Sequence, residues 1–236
     1  MSKENNNSIN KIVCFGDSTT DASYVNTDED FSFAYKDLKV YSDLLQEEFK
    51  RLFSQSVEII NSGVSGDTTL DAKLRFQKDV LDHNPDMVII QFGVNDQSIR
   101  QDIGLTKAII SIEDFAYNIL FFISRIRKIT PNILLMTPGL ILWRDHFKSK
   151  YFESPYDINS KLGLSNNLPE YVEVLRNIAL KENIALIDVF KEETKLSQLD
   201  NNALNNMLPD GLHPSSEGHK FIANLILKHI KKKLIT

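Results

Sequence analysis

The sequence predicts an α/β fold built on a five-stranded parallel sheet with helices on both faces. Two observations carry that expectation. Five short apolar or β-branched runs are each bounded by Asn, Pro, Gly or Asp, and the longer segments between them carry apolar residues three to four positions apart. Runs and segments alternate along the chain, and strands joined by helical crossovers lie parallel and buried on both sides.

Residues 1–10 form a polar leader rich in Asn and Ser, expected to be poorly ordered beside a single folded domain over 11–236. The first strand falls at 12–15, where Cys14 reads as a small core residue. After a long connection at 21–39, the spacing predicts a helix over 41–53 and a strand over 57–60 that runs into Asn61, Ser62 and Gly63. A helix over 69–80, a strand over 87–92 and a helix over 111–129 follow, and the fourth strand is expected at 133–137. A second long connection, 138–167, holds Leu140, Trp143, Phe147, Tyr151, Phe152 and Tyr156. Connections of this length are usually functional, so it is expected to serve as a lid or pocket wall, with Trp143 and Phe147 as pocket residues. A helix over 168–182, a strand over 185–189 and a final helix over 215–234 complete the pattern. Pro214 suits the first turn of that last helix, and Lys231, Lys232 and Lys233 suit its C-terminal dipole as a solvated end.

Composition narrows the function classes. A formal charge of -5 and an isoelectric point near 5.6 argue against a nucleic-acid partner, which would call for a basic face. A single cysteine excludes an intramolecular disulfide. The leader lacks an apolar core of the secretory type, and no run of eighteen apolar residues occurs, so a cytoplasmic protein without a membrane partner is expected. Neither a Walker A sequence nor a Gly-x-Gly-x-x-Gly motif is present. His83, His146, His219 and His229 show no metal-ligand spacing and read as surface or helix residues, so no metal and no cofactor is expected.

Four fragments carry chemistry, and the alternation places them after successive strands, where open α/β sheets bind ligands. Ser18, in Phe15-Gly16-Asp17-Ser18, follows the first strand; Gly63 follows the second; Asn95, in Gly93-Val94-Asn95-Asp96, follows the third. Asp210-Gly211-Leu212-His213-Pro214 leads into the last helix. A serine hydroxyl needs a neighbouring base to become a nucleophile, and His213 is the candidate, with Asp210 to orient its ring. Charge developing on a carbonyl oxygen needs preorganised donors: the Ser18 N–H, the Gly63 N–H and the Asn95 amide. Ser65, in Gly63-Val64-Ser65-Gly66-Asp67, is a rival nucleophile, but Asp67 stands where a Gly-x-Ser-x-Gly elbow has its second glycine. Together the fragments point to acyl transfer on a small-molecule ester.

These blocks resemble the GDSL esterase/lipase family, also called SGNH hydrolases after their Ser, Gly, Asn and His. The resemblance spans most of the chain. It implies a three-layer α/β/α sandwich of flavodoxin-like, SGNH-hydrolase type. It also implies a nucleophile at Ser18, an oxyanion hole of Ser18, Gly63 and Asn95, and an acid and base at Asp210 and His213. Thr19 departs from the aliphatic residue that many members carry after the serine, which bears on substrate contacts. The expected activity is hydrolysis of a short-chain acyl ester through an acyl-enzyme intermediate, the substrate being a small ester such as an acetylated sugar. An acyltransferase or thioesterase using the same residues, or a non-catalytic carbohydrate-binding scaffold, is the alternative.

Overall fold

Alternation inside the first strand sets the layers. Ile12 and Cys14 point to one face of the sheet and Val13 and Phe15 to the other, and all four are fully buried. The computed structural model describes residues 9–21, 35–53, 57–157, 159–160, 163–164 and 167–235. Its strands are β1 (Lys11–Gly16), β2 (Glu58–Gly63), β3 (Met87–Gln91), β4 (Ile133–Met136) and β5 (Ala185–Ile187). Its helices are α1 (Tyr41–Phe53), α2 (Thr69–Asp79), α3 (Ile112–Ile126), α4 (Leu168–Lys181), α5 (Val189–Leu199), α6 (Asn201–Met207) and α7 (Ser216–Ile235).

All strand pairs are parallel, and the order is β2-β1-β3-β4-β5. The chain winds from β1 outward to β2, then returns past β1 to lay β3 on its other side. That reversal opens a crevice beyond the carboxyl ends of β1 and β3, the place where such sheets bind ligands. The Val13/Phe15 face packs on α2, α3 and α4 through Phe76, Phe115, Phe122 and Leu175, and the Ile12/Cys14 face packs on α1 and α7 through Tyr41, Leu45 and Ile226. The expected three-layer α/β/α sandwich with a five-stranded parallel sheet is therefore what the chain forms. A third apolar cluster, including Ile141, Phe147, Tyr156, Leu204 and Leu208, supports the long loops.

Two departures from the sequence expectation, beyond shifts of one to three residues at element ends, have a visible cause. The fifth strand stops at Ile187, because Asp188 accepts a bond from the Lys191 N–H and caps α5, pulling Val189 into a helix. The sequence pattern predicts no element between the fifth strand and the final helix, where α5 and α6 form; the polar, Asn-containing stretch across them masks their periodicity, and Asp200 caps α6 by accepting from Ala203 N–H. Of the polar leader, residues 1–8 lie outside the described residues, while Asn10 donates its N–H to Asp86 and Ile9 packs on the core. Most of the 21–39 connection also lies outside them.

Candidate active site

Each fragment is shaped locally before it meets the others. After β1, Asp17 turns the chain: its carbonyl accepts from Thr20 and Asp21, and its Oδ1 from the Thr19 N–H at 2.9 Å. Gly16 is required here, since a Cβ would meet Thr20 and the Gln91 carbonyl. Ser18 sits at the tip of this turn. In the last loop Asp210 Oδ1 accepts from the Leu212 and His213 N–H groups at 2.8 and 2.7 Å, so the acid folds the loop that carries its own histidine. Gly211 has φ of 90°, and a Cβ there would meet the Leu142 carbonyl and Arg144.

The tertiary fold then joins positions 195 apart in sequence. His213 Nε2 lies 3.1 Å from Ser18 Oγ, and Nδ1 lies 2.7 Å from Asp210 Oδ2. Burial pushes the Asp210 carboxyl up, but the hydrogen bond and charge of His213, with the two loop N–H groups, outweigh it and hold the pKa below the usual carboxylate value. An ionised Asp210 is the acceptor, so Nδ1 carries the hydrogen and Nε2 faces the Ser18 hydroxyl with its lone pair. Tyr35 steadies the loop by donating from its hydroxyl to the His213 carbonyl at 3.2 Å.

Asn95 is half-buried and donates from Nδ2 to the Asp67 carbonyl at 2.9 Å, which leaves its second amide hydrogen available. Gly63 is placed differently from its expected use. Its N–H donates to Asn61 Oδ1 at 2.9 Å, and its missing Cβ makes room for the Thr20–Asp21 backbone behind the serine turn. Three residues on, Gly66 has φ of 86° in an exposed turn with open space around it. Among the described residues, neither the Ser18 nor the Gly66 N–H makes a hydrogen bond. Ser65, the rival nucleophile, is exposed on the same turn, and its N–H donates to Asp21; the histidine faces Ser18.

Several residues with work at the site were not singled out from sequence. Arg75 of α2 donates to the Gly16 and Ser62 carbonyls and to Asp67 and Asp79, tying together the ends of β1 and β2 and the 64–67 turn. Asp96, buried behind Asn95, accepts from the Thr69 N–H and hydroxyl at the start of α2; burial raises its pKa to about 6. His219, expected at the surface or on a helix, is on α7 but fully buried, where Nδ1 accepts from the Tyr41 N–H at 3.3 Å. Desolvation lowers its pKa to about 3, so it stays neutral. An Asp-Ser pair after a strand was legible; a lone Arg or His in a helix carries no such local signal.

The 138–167 connection splits its two expected pocket residues. Trp143 lines an open cleft, while Phe147 is buried in the third apolar cluster below the Gly211 loop. Among the described residues no group of three or more His, Cys, Asp or Glu could hold a metal ion. No helix among them is long and apolar enough to cross a membrane.

The chain is similar to known proteins along most of its length. An acetylxylan esterase of Geobacillus stearothermophilus is 25% identical over 229 residues, covering 93% of each chain. An uncharacterized lipoprotein of Bacillus subtilis is 30% identical over 183 residues, 76% of this chain and 70% of that one. The crystal structure of a lipase/acylhydrolase from Enterococcus faecalis superposes with a TM-score of 0.69 at 27% identity, covering 95% of this chain and 97% of that one. The family model described as the GDSL-like lipase/acylhydrolase family matches residues 14–221, from β1 into α7. The chain belongs to the GDSL-like lipase/acylhydrolase family and is a carboxylic ester hydrolase.

Proposed function

We propose that the protein hydrolyses short-acyl esters, acetyl esters above all, through an acyl-enzyme intermediate on Ser18. The observation that carries this is the pair of contacts on one imidazole, 3.1 Å to Ser18 Oγ and 2.7 Å to Asp210 Oδ2. Ser18 Oγ attacks the ester carbonyl carbon as its proton passes to His213 Nε2, and Asp210 stabilises the imidazolium. The oxyanion accepts hydrogen bonds from the Ser18 N–H and the Asn95 amide. We assign the third donor to Gly66 in place of Gly63, because the Gly63 N–H is engaged by Asn61 and that of Gly66 is open. Collapse breaks the bond to the alcohol oxygen, which takes the proton from His213. Water then attacks the acyl carbon and gives a proton to His213, which passes it to Ser18 Oγ as the acyl–oxygen bond breaks, releasing the acid and restoring the Ser18 hydroxyl.

An acetylated sugar is the natural substrate class we favour. Support comes from the acetylxylan esterase among the relatives and from an aromatic cleft hydrogen-bonded to the loop that follows Asn95. The test is hydrolysis of p-nitrophenyl esters from acetyl to palmitoyl, with Ser18→Ala beside the parent. Turnover that is greatest at acetyl and lost in the variant supports the reading; a preference for palmitoyl, or an active Ser18→Ala, overturns it.

A further inference from the structure

The geometry points to the cleft of the 138–167 connection as a binding subsite for a pyranose ring, the alcohol half of the ester. The inference rests on the esterase reading above. The cleft holds about 540 Å³, within the range of small-molecule sites, roughly 300–1,000 Å³. Trp143, Tyr151, Phe152 and Tyr156 line it, with Lys148 and Asp157 among the polar groups.

Three of its four rings are fixed by their polar ends, and this separates a built site from an apolar accident. Trp143 donates from Nε1 to the Asp157 carbonyl at 2.8 Å. The Tyr156 hydroxyl accepts from the Ile99 N–H at 2.8 Å, and the Tyr151 hydroxyl pairs with Ser98 Oγ at 2.8 Å. Tyr151 and Tyr156 also meet edge to face, 4.8 Å between centroids. Phe152 is 57% exposed, an unfavourable place for a phenyl ring in water, yet its backbone is clamped. Gln101 Oε1 accepts from the Phe152 and Glu153 N–H groups, while Nε2 donates to the Glu153 and Ser154 carbonyls. Rings held in advance lose little freedom when a ligand arrives.

The same bonds attach the cleft to the loops that carry the reacting groups. Ser98, Ile99 and Gln101 belong to the loop that begins at Asn95. On the other side, Leu142 donates its N–H to the Gly211 carbonyl at 2.7 Å, and Arg144 donates to the Pro209 and Leu208 carbonyls. The cleft is thus braced between the loop of Asn95 and the loop of His213. A pyranose fits its mixed chemistry: C–H faces for the rings, hydroxyls for Lys148 and the Asp157 carboxylate. An alkyl chain would use the rings and leave the polar rim unmatched.

Trp143 is the single tryptophan of the chain, so its emission reports this cleft directly. Full-length Ser18→Ala protein is titrated with xylotriose, benzyl alcohol and 1-hexanol in turn, and the parent is assayed in parallel with phenyl acetate. Xylotriose should give a saturable change that the two alcohols do not, and Phe152→Ala should weaken it about three- to tenfold. Phe152→Ala made in the parent, with Ser18 intact, should lose more kcat/KM on acetylated xylotriose than on phenyl acetate. A response to benzyl alcohol or hexanol alone, or none to any probe, overturns the subsite even if phenyl acetate is hydrolysed. Xylotriose binding without phenyl acetate hydrolysis supports the subsite and counts against the esterase reading instead.

Discussion

At the scale of single residues, the two glycines after β2 separate what a missing side chain and a free N–H each provide. Gly63→Ala places a Cβ against the Thr20–Asp21 backbone, so it should lower stability and solubility, read as a fall in Tm. Gly66→Ala keeps its N–H and has room for its methyl, but left-handed strain of about 1–2 kcal/mol at φ of 86° pulls the turn and its N–H out of line, so it should fold and lose kcat. The opposite pattern would return the donor role to Gly63. Asn95→Ala should lower kcat by about two to three orders of magnitude with little change in KM, measured on p-nitrophenyl acetate; a loss confined to KM would contradict a role in the transition state. kcat/KM should fall on the acid side, because a base that already holds a proton cannot take one from Ser18, while Asp210, held below the usual carboxylate value, stays ionised. A kcat/KM profile flat through that limb would remove His213 as the base. Ser18, Asn95, Asp210 and His213 were legible in sequence because each sits in a short motif with its own turn chemistry. The state of the Gly63 N–H was not, since it depends on where the Asn61 side chain points.

At the scale of elements, Arg75 shows how a helix steadies loops on a different part of the chain. Its guanidinium is only 16% exposed and bonds two strand-end carbonyls and two carboxylates. Arg75→Met should destabilise by about 3 kcal/mol, because it leaves partly buried acids and carbonyls unmatched. It should also reduce kcat more than KM, since the 64–67 turn that presents Gly66 loses its anchor. A variant with lower Tm and an unchanged kcat would confine Arg75 to stability. Strands β1 to β5 and helices α1 to α4 and α7 were readable because their apolar spacing fits one period each. Helices α5 and α6 escaped because one polar stretch spans both, and their starts are set by Asp188 and Asp200, whose capping role shows only in the bonds they accept.

For the whole molecule, buried titratable groups make stability depend on pH in two opposing ways. Burial pushes Glu193 up to about 7 against the opposing bond from the Leu140 N–H, and pushes Asp17 up to about 7. Between the ordinary carboxylate value and pH 7 the folded chain keeps protons that the unfolded chain has released. This contribution is therefore full in acid and lost as pH rises through about 7. His219 acts oppositely: lowered from 6.5 to about 3, it contributes above 6.5 and loses that as pH falls. Glu193→Gln should flatten the loss of stability between about pH 5 and pH 8 by roughly 1–3 kcal/mol, measured by urea unfolding at each pH. An unchanged slope would place that dependence on other groups. By itself the sequence determined the alternation of strand and helix and the motifs that shape each rim loop, because both follow from local period and turn chemistry. Tertiary structure alone decided which loops meet. The strand order β2-β1-β3-β4-β5 brings Ser18 and His213 together across 195 positions, and long-range packing selects which N–H groups stay open and which acids are cut off from water.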